Sequence, residues 1–474
     1  MMTTPQATLR HLTDLPGPRP WPLLGNLPQL SPARMHRQVE TWAGRYGPLF
    51  AMRFASTPVL VVADHMLVAD VLRERPEGFR RPSVTARVSI EMDDRPGILM
   101  AEGALWRQQR RIVMAALTPH AVKAYFPALV RTALRLQQRW RHAARNGASI
   151  ELALDLKRYS MDIIAGLAFG MDINTIDSGE HALQHHMDAI LTGVARRSMA
   201  PFPYWRYLKL PRERALDNSI AVLRNSVDQM IASARTRLAA EPARRQRPAN
   251  LLEAMLCAAE EEGSGLDDKA VAGNVATLLL AGEDTTSSTL GWLLYLLYSN
   301  RATLQQATEE VLRLAPDPGG LTIEQLDRLD YLDACAQEAL RLKPPTPFIP
   351  LEALCDSVIG DVQVPQGTLV WCVMRHDSMD EQHVPHASQF QPERWLRQDG
   401  TAIDKHVSMP FGAGPRTCSG RYLALLEIKL ACAMLLASFD IDTVATEDGN
   451  APQELMGFTM SPVGLTMRLR ERAA

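Results

Sequence analysis

The chain has 474 residues, 46% of them hydrophobic and 22% charged, with a formal net charge of -2. This is the composition of a soluble globular protein with ample apolar material for a core, and the near-neutral charge argues against a general nucleic-acid or anionic-membrane binder. The six cysteines, Cys257, Cys335, Cys355, Cys372, Cys418 and Cys432, form no C-x-x-C pair and are too sparse for a disulfide scaffold, which sets aside zinc ribbons and fits a reducing compartment.

Residues 1–14 are polar and carry no apolar signal core. No run reaches the roughly 18 to 20 apolar residues of a membrane span. The nearest, 278–298, is broken by Glu283 and Asp284, so a cytoplasmic protein without a membrane anchor is expected. Pro16-Gly17-Pro18-Arg19-Pro20 opens a stiff irregular segment, because proline fixes φ and removes donors. Residues 48–54 and 57–62, rich in branched and aromatic side chains, read as a β-hairpin. From about 66 to 342 the periodicity is helical, with breaks at Gly147, 201–203, 242–248 and 316–320. Further β signals lie at 362–373, around Pro365-Gln366-Gly367, and at 457–469. A last helix, 419–438, follows Cys418. The expected fold class is therefore mainly α, a helical body with small β-sheets from the N- and C-terminal parts. The strands are too short to stand alone, so one interlocked domain over 1–474 is expected: 1–65 as Pro-rich opening and hairpin, 66–342 as helical body, 343–474 as β segments, cysteine loop and last helix.

The segment Phe411-Gly412-Ala413-Gly414-Pro415-Arg416-Thr417-Cys418-Ser419-Gly420 carries the most chemistry. Glycines let a backbone take positive φ and approach a flat ligand closely. A cysteine just ahead of a helix N-terminus is favoured as thiolate. The alternative for any cysteine is a small buried hydrophobe, which we assign to the other five.

The spacing F-x-x-G-x-R-x-C-x-G, matched at every fixed position, resembles the signature of the cytochrome P-450 superfamily; a chance match in such a chain is on the order of 10⁻⁴. The resemblance implies a P-450 fold, heme b as cofactor and Cys418 as the thiolate ligand to its iron, with Phe411 in the same cofactor-binding loop. Glu338-Ala339-Leu340-Arg341 and Phe390-Gln391-Pro392-Glu393-Arg394-Trp395 resemble the family's E-x-x-R and P-E-R stretches, implying a buried structural triad of Glu338, Arg341 and Arg394. Ala281-Gly282-Glu283-Asp284-Thr285-Thr286 resembles the family's oxygen-binding groove. Thr285 would then hydrogen-bond dioxygen and Asp284 would relay protons. The bland reading of that segment is a solvated stripe with threonines bonding back to carbonyls. Trp106 and Arg110, at W-x-x-x-R spacing, would bind one haem propionate and Arg416 the other. A basic amphipathic helix is the alternative there, and Arg107 and Arg111 fit it. One position departs from the pattern: Leu351, followed by Glu352, falls where the family usually places a propionate-binding cation.

The resemblance covers nearly the whole chain. It implies a monooxygenase that inserts one oxygen atom into a lipophilic small molecule by hydroxylation or epoxidation. The chain stops soon after the terminal strands, so electrons are expected from a separate ferredoxin and ferredoxin reductase or from a flavodoxin-like donor. We expect a monomer. The segments 83–100, 187–203, 278–285, 346–351 and 458–460, largely apolar with Met and Phe prominent, are the candidate substrate lining. Two rivals stay open: a peroxide-driven or isomerising enzyme of the same fold, and a haem sensor or carrier without turnover. The intact acid–threonine pair speaks against both.

Overall fold

The computed structural model describes residues 9–178, 182–200, 202–261, 266–396, 403 and 406–472. Residues 1–8 and Pro201, which belong to the polar start and to one of the breaks read from the sequence, lie outside the described residues. In the first part of the chain, the elements that position the candidate residues are β1 (Leu49–Phe54), β2 (Thr57–Val62), α1 (His65–Arg73), β3 (Phe79–Arg80), α2 (Gly103–Ala116), β4 (Ile150–Glu151) and α3 (Leu152–Phe169). They are followed by α4 (Asp268–Ser299), α5 (Asp330–Leu342), β5 (Phe348–Ala353), β6 (Leu369–Val373), α6 (Arg421–Ser438), β7 (Phe439–Ala445), β8 (Met460–Pro462) and β9 (Thr466–Glu471). The architecture is mainly α with small separate sheets, as the periodicity implies.

The chain divides into two compact units, each drawn from distant parts of the sequence. The first comprises Met1–Arg87, Thr346–Gln389 and Ile403–Cys418. Its sheet has the order β1-β2-β6-β5-β3. The expected hairpin is present, with Phe54 opposite Thr57 and Leu49 opposite Val62. Its two-residue turn places Ala55 at φ 52°, the left-handed geometry such tight turns need. β2 lies between β1 and β6 and reads as an unbroken apolar run because both of its faces are covered: Val59, Leu60, Val61 and Val62 alternate faces and are all buried. Val68 and Leu72 of α1 join Leu60, Val62, Leu351, Val370 and Cys372 in one core. Asp64 caps α1 by accepting the Leu67 N–H at 2.9 Å. The β signal at 362–373 serves two sheets: Val362–Val364 pairs with Ser357–Ile359, while β6 joins the larger sheet. Gly367, at φ 83°, supplies the turn between them.

The second unit comprises Val88–Pro345, Phe390–Ala402 and Ser419–Ala474. α4 spans 32 residues, and Asp267 caps it by accepting the Ala270 N–H. It crosses α3 closely: a Cβ on Gly282 would stand 3.1 Å from Ile164 Cγ1. A separate three-stranded sheet has the order β4-β9-β7. The region 66–342 is not wholly helical, because β3 and β4 interrupt it; at two residues each they leave no period-2 signal. The last helix begins at Arg421 rather than Ser419. Gly420, costly inside a helix, stands at its N-cap instead. Among the described residues no single helix is long and apolar enough to cross a membrane.

Candidate functional site

The cysteine loop belongs to the first unit. Met409 O accepts the Gly412 N–H at 2.8 Å, and Phe411 O accepts the Cys418 N–H at 2.9 Å, closing the loop on itself. Gly414–Arg416 forms a 3-10 turn, fastened by Thr417 Oγ1 donating to Gly414 O at 2.7 Å. Gly414 has φ 69°, and a Cβ there would stand 2.6 Å from Leu72 O and 2.7 Å from Arg73 Cα. Both the conformation and the close approach require glycine. Gly412 also has positive φ, 73°, and among the described residues nothing beyond its chain neighbours comes within 4 Å of where its Cβ would lie. Phe411 and Arg416 are half-buried and Cys418 is exposed.

The other cysteines differ. Burial pushes the Cys372 and Cys432 thiols up to about 12, and raises those of Cys335 and Cys257 as well. Cys355 is exposed, but it sits in a short turn with its sulfur 3.8 Å from Ser357 Oγ. Cys418 alone combines exposure with the glycine-built loop.

The remaining candidates lie in the second unit. On α2, Trp106 is buried and Arg110, one turn later, is half-buried; Arg107 and Arg111 are exposed, as a solvated face requires. Asp284 and Thr285 share α4. Asp284 is buried, with Oδ2 accepting from Thr459 Oγ1 at 2.5 Å and Oδ1 lying 3.6 Å from Lys157 Nζ. Lys157 in turn donates to Asp188 Oδ1 at 2.7 Å, and the Asp188 side chain is half-exposed. These groups make a charged chain from a buried carboxylate towards solvent. Thr285 Oγ1 donates to Ala281 O at 2.9 Å, the helix back-bond of the bland reading.

Glu283 is buried, and that burial raises its carboxyl to about 8 despite the nearby Lys157 cation. Burial thus favours its protonated form. Glu427 on α6 is also buried and raised well above the usual carboxylate range, with a hydrogen bond from Thr286 partly offsetting the burial. Sequence reasoning misses most of this surround. Thr459 falls in a segment marked only as candidate lining. Asp188 likewise falls in a segment marked as candidate lining, and Lys157 carries no local signal, since a lysine on a helix is an ordinary surface residue.

The triad read from the sequence is a hydrogen-bonded cluster. Glu338 Oε1 accepts from Arg341 Nη2 at 2.7 Å and from Arg394 Nε at 2.9 Å, and Oε2 accepts from Arg341 Nε at 2.9 Å. The same carboxylate accepts from Trp395 Nε1 at 2.8 Å and from the Gln391 N–H at 3.1 Å. The Glu338 and Arg341 side chains are fully buried. Both extra donors belong to the stretch already singled out for its arginine. Leu351, where a cation is usual, is a buried core residue of β5. Glu352 beside it pairs with Arg80 at 2.6 Å and accepts the Ser83 N–H at 2.6 Å.

Compared with known proteins, residues 15–469 match the family model for cytochrome P-450. The chain is 28% identical to a self-sufficient cytochrome P-450 monooxygenase of Oidiodendron maius, over 97% of this chain and 44% of that protein. It is 29% identical to the steroid 17-alpha-hydroxylase/17,20 lyase of Homo sapiens, over 91% of this chain and 87% of that protein. It is 27% identical to a bifunctional cytochrome P-450/NADPH–P-450 reductase of Bacillus cereus, over 98% of this chain and 43% of that protein. The chain thus spans less than half the length of two of these relatives.

Proposed function

The chain belongs to the cytochrome P-450 family, and from that membership we propose that it is a haem-thiolate monooxygenase acting on a lipophilic small molecule. The family's cofactor is heme b. The residues present fit it: an exposed cysteine ends a loop whose Gly414 admits no side chain, while the thiols of Cys335, Cys372 and Cys432 are buried and held protonated. That loop is the observation that carries the reading. When bound through a cysteine thiolate, haem supplies the activation of dioxygen, because the sulfur's electron density favours O–O cleavage.

The chain's own residues supply position and protons. Cys418 provides the sulfur ligand. Trp106, Arg110 and Arg416 take the propionates, using an indole N–H and guanidinium forks suited to carboxylates. Asp284 delivers protons, and the Lys157–Asp188 pair beside it supports a route from solvent. Thr285 donates a hydrogen bond to dioxygen. To do so its hydroxyl must turn from Ala281 O, giving up a bond of about 1 kcal/mol net.

A lipophilic substrate follows from the apolar candidate lining, and the activity that names the human steroid hydroxylase relative is of that kind. Electrons come from a redox partner. We assign them to a ferredoxin with its reductase or to a flavodoxin-like protein; two of the relatives are named as self-sufficient or as joined to a reductase. The test is substrate-dependent NADPH consumption with each donor offered in turn, after a spectral screen for compounds that displace water from the haem iron. Binding of haem with no donor supporting turnover on any spectrally active compound would overturn the monooxygenase reading.

A further inference from the structure

We infer that His65, Asp377 and His383 form a site for a divalent transition metal of the zinc class. All three belong to the first unit. One ligand atom from each lies within 4.8 Å of the others. His65 Nδ1 stands 2.8 Å from Asp377 Oδ2, and His383 Nε2 stands 3.8 Å from the same oxygen. The two imidazole rings meet edge to face at 5.0 Å between centroids.

The chemistry of the set is that of a first-row metal site. Neutral imidazole nitrogens and a carboxylate oxygen bind zinc at about 2.0–2.2 Å in a tetrahedron, with water in the fourth position when the protein supplies three ligands. Tetrahedral bonds of that length put neighbouring ligand atoms roughly 3.3–3.6 Å apart. The separations of 2.8 and 3.8 Å from Asp377 Oδ2 bracket that value, and all three ligand atoms lie within 4.8 Å of one another, so a bound ion would draw the set together.

The supports are in place. Asp377 is buried, and its Oδ2 also accepts the His65 backbone N–H at 2.8 Å, which fixes the carboxylate against the first turn of α1. Its other oxygen stands 2.8 Å from His376 Nδ1, an outer partner of the type that orients liganding carboxylates. The His383 side chain is 36% exposed, which gives a metal its way in. A bound ion would tie the start of α1 to the 376–383 segment, which lies some 312 residues along the chain.

The experiment uses the full-length, haem-loaded protein after passage over a chelating resin. Zinc is titrated calorimetrically, and retained zinc is counted against haem iron by mass spectrometry. The wild type should hold one zinc per chain. His65→Ala and His383→Ala should each weaken binding at least about 100-fold, and His376→Ala about 10–100-fold, with haem content unchanged. His120→Ala, at an exposed position in the second unit, should bind as the wild type does. Because His383 is partly exposed, its variant keeps the fold and the result stays readable. A wild type that retains no zinc, or His65→Ala and His383→Ala proteins with wild-type affinity, would overturn the site and leave Asp377 as a carboxylate that only anchors α1.

Discussion

Asp284 and Thr459, 175 residues apart in the chain, share a hydrogen bond of 2.5 Å from the threonine hydroxyl to the carboxylate. Thr459 holds one carboxylate oxygen while Lys157 stands 3.6 Å from the other, so the orientation of the proposed proton donor is set from two sides. Thr459→Val keeps the shape and removes the donor. Losing one net hydrogen bond of about 1 kcal/mol should slow turnover roughly fivefold with little change in substrate affinity. Asp284→Asn should slow it by about 10²–10⁴, the usual contribution of positioned proton transfer. The check is kcat and KM for both variants on one accepted substrate.

Thr285→Ala tests the proposed role directly. The variant should bind haem and substrate and accept electrons, since none of these needs its hydroxyl. Its coupling should fall, with NADPH oxidation yielding hydrogen peroxide in place of product. Thr285→Ser, which restores the hydroxyl, should recover most of the coupling. An unchanged ratio of product to NADPH in the alanine variant would leave Thr285 as a residue that only bonds back to Ala281 O.

The Glu338 cluster makes a stability prediction. Glu338→Ala strips Arg341 and Arg394 of their shared carboxylate while leaving both guanidinium groups buried. Breaking a buried charge network typically costs about 3–5 kcal/mol. The variant should express poorly and retain little haem. Equal haem content and an unchanged Tm would reduce the cluster to a dispensable ion pair.

In the cysteine loop, Cys418→Ala should abolish the red-shifted carbon monoxide band of reduced thiolate-ligated haem, and Cys355→Ala should leave it intact. Gly414→Ala should lose haem as well. A left-handed φ of 69° costs an alanine about 1–2 kcal/mol, and its Cβ would overlap Leu72 O. Haem content and the band together distinguish a lost ligand from a lost loop.

Glu283 should make stability depend on pH. Its carboxyl is raised from the ordinary 4.5 to about 8, so between those values the unfolded chain releases a proton that the folded protein keeps. Stability attributable to this group is undiminished below about 4.5, falls by about 1.4 kcal/mol per pH unit as pH rises towards 8, and levels off above it. Glu283→Gln is neutral at every pH and removes that slope. The Tm of the variant relative to the wild type should therefore climb from pH 5 to pH 8 and then stay constant. A difference independent of pH would mean that Glu283 is ionised in the folded protein.

Several features are legible in the sequence because their chemistry is local. The hairpin follows from branched residues on either side of a two-residue turn, α4 from its long apolar period, and the cysteine loop from glycines at fixed spacing. Glu338 and Arg341 are three residues apart on one helix, so their pairing needs no long-range information. Packing settles which distant residues complete each cluster. Lys157 and Thr459 reach Asp284 from other segments, and His65 meets Asp377 and His383 across the chain. Packing also settles protonation: the burial of Glu283 pushes its carboxyl to about 8, and nothing in its sequence neighbours announces that. Covalent neighbours and periodicity fix secondary structure, but burial and long-range contacts are properties of the packed chain, and no local spacing encodes them.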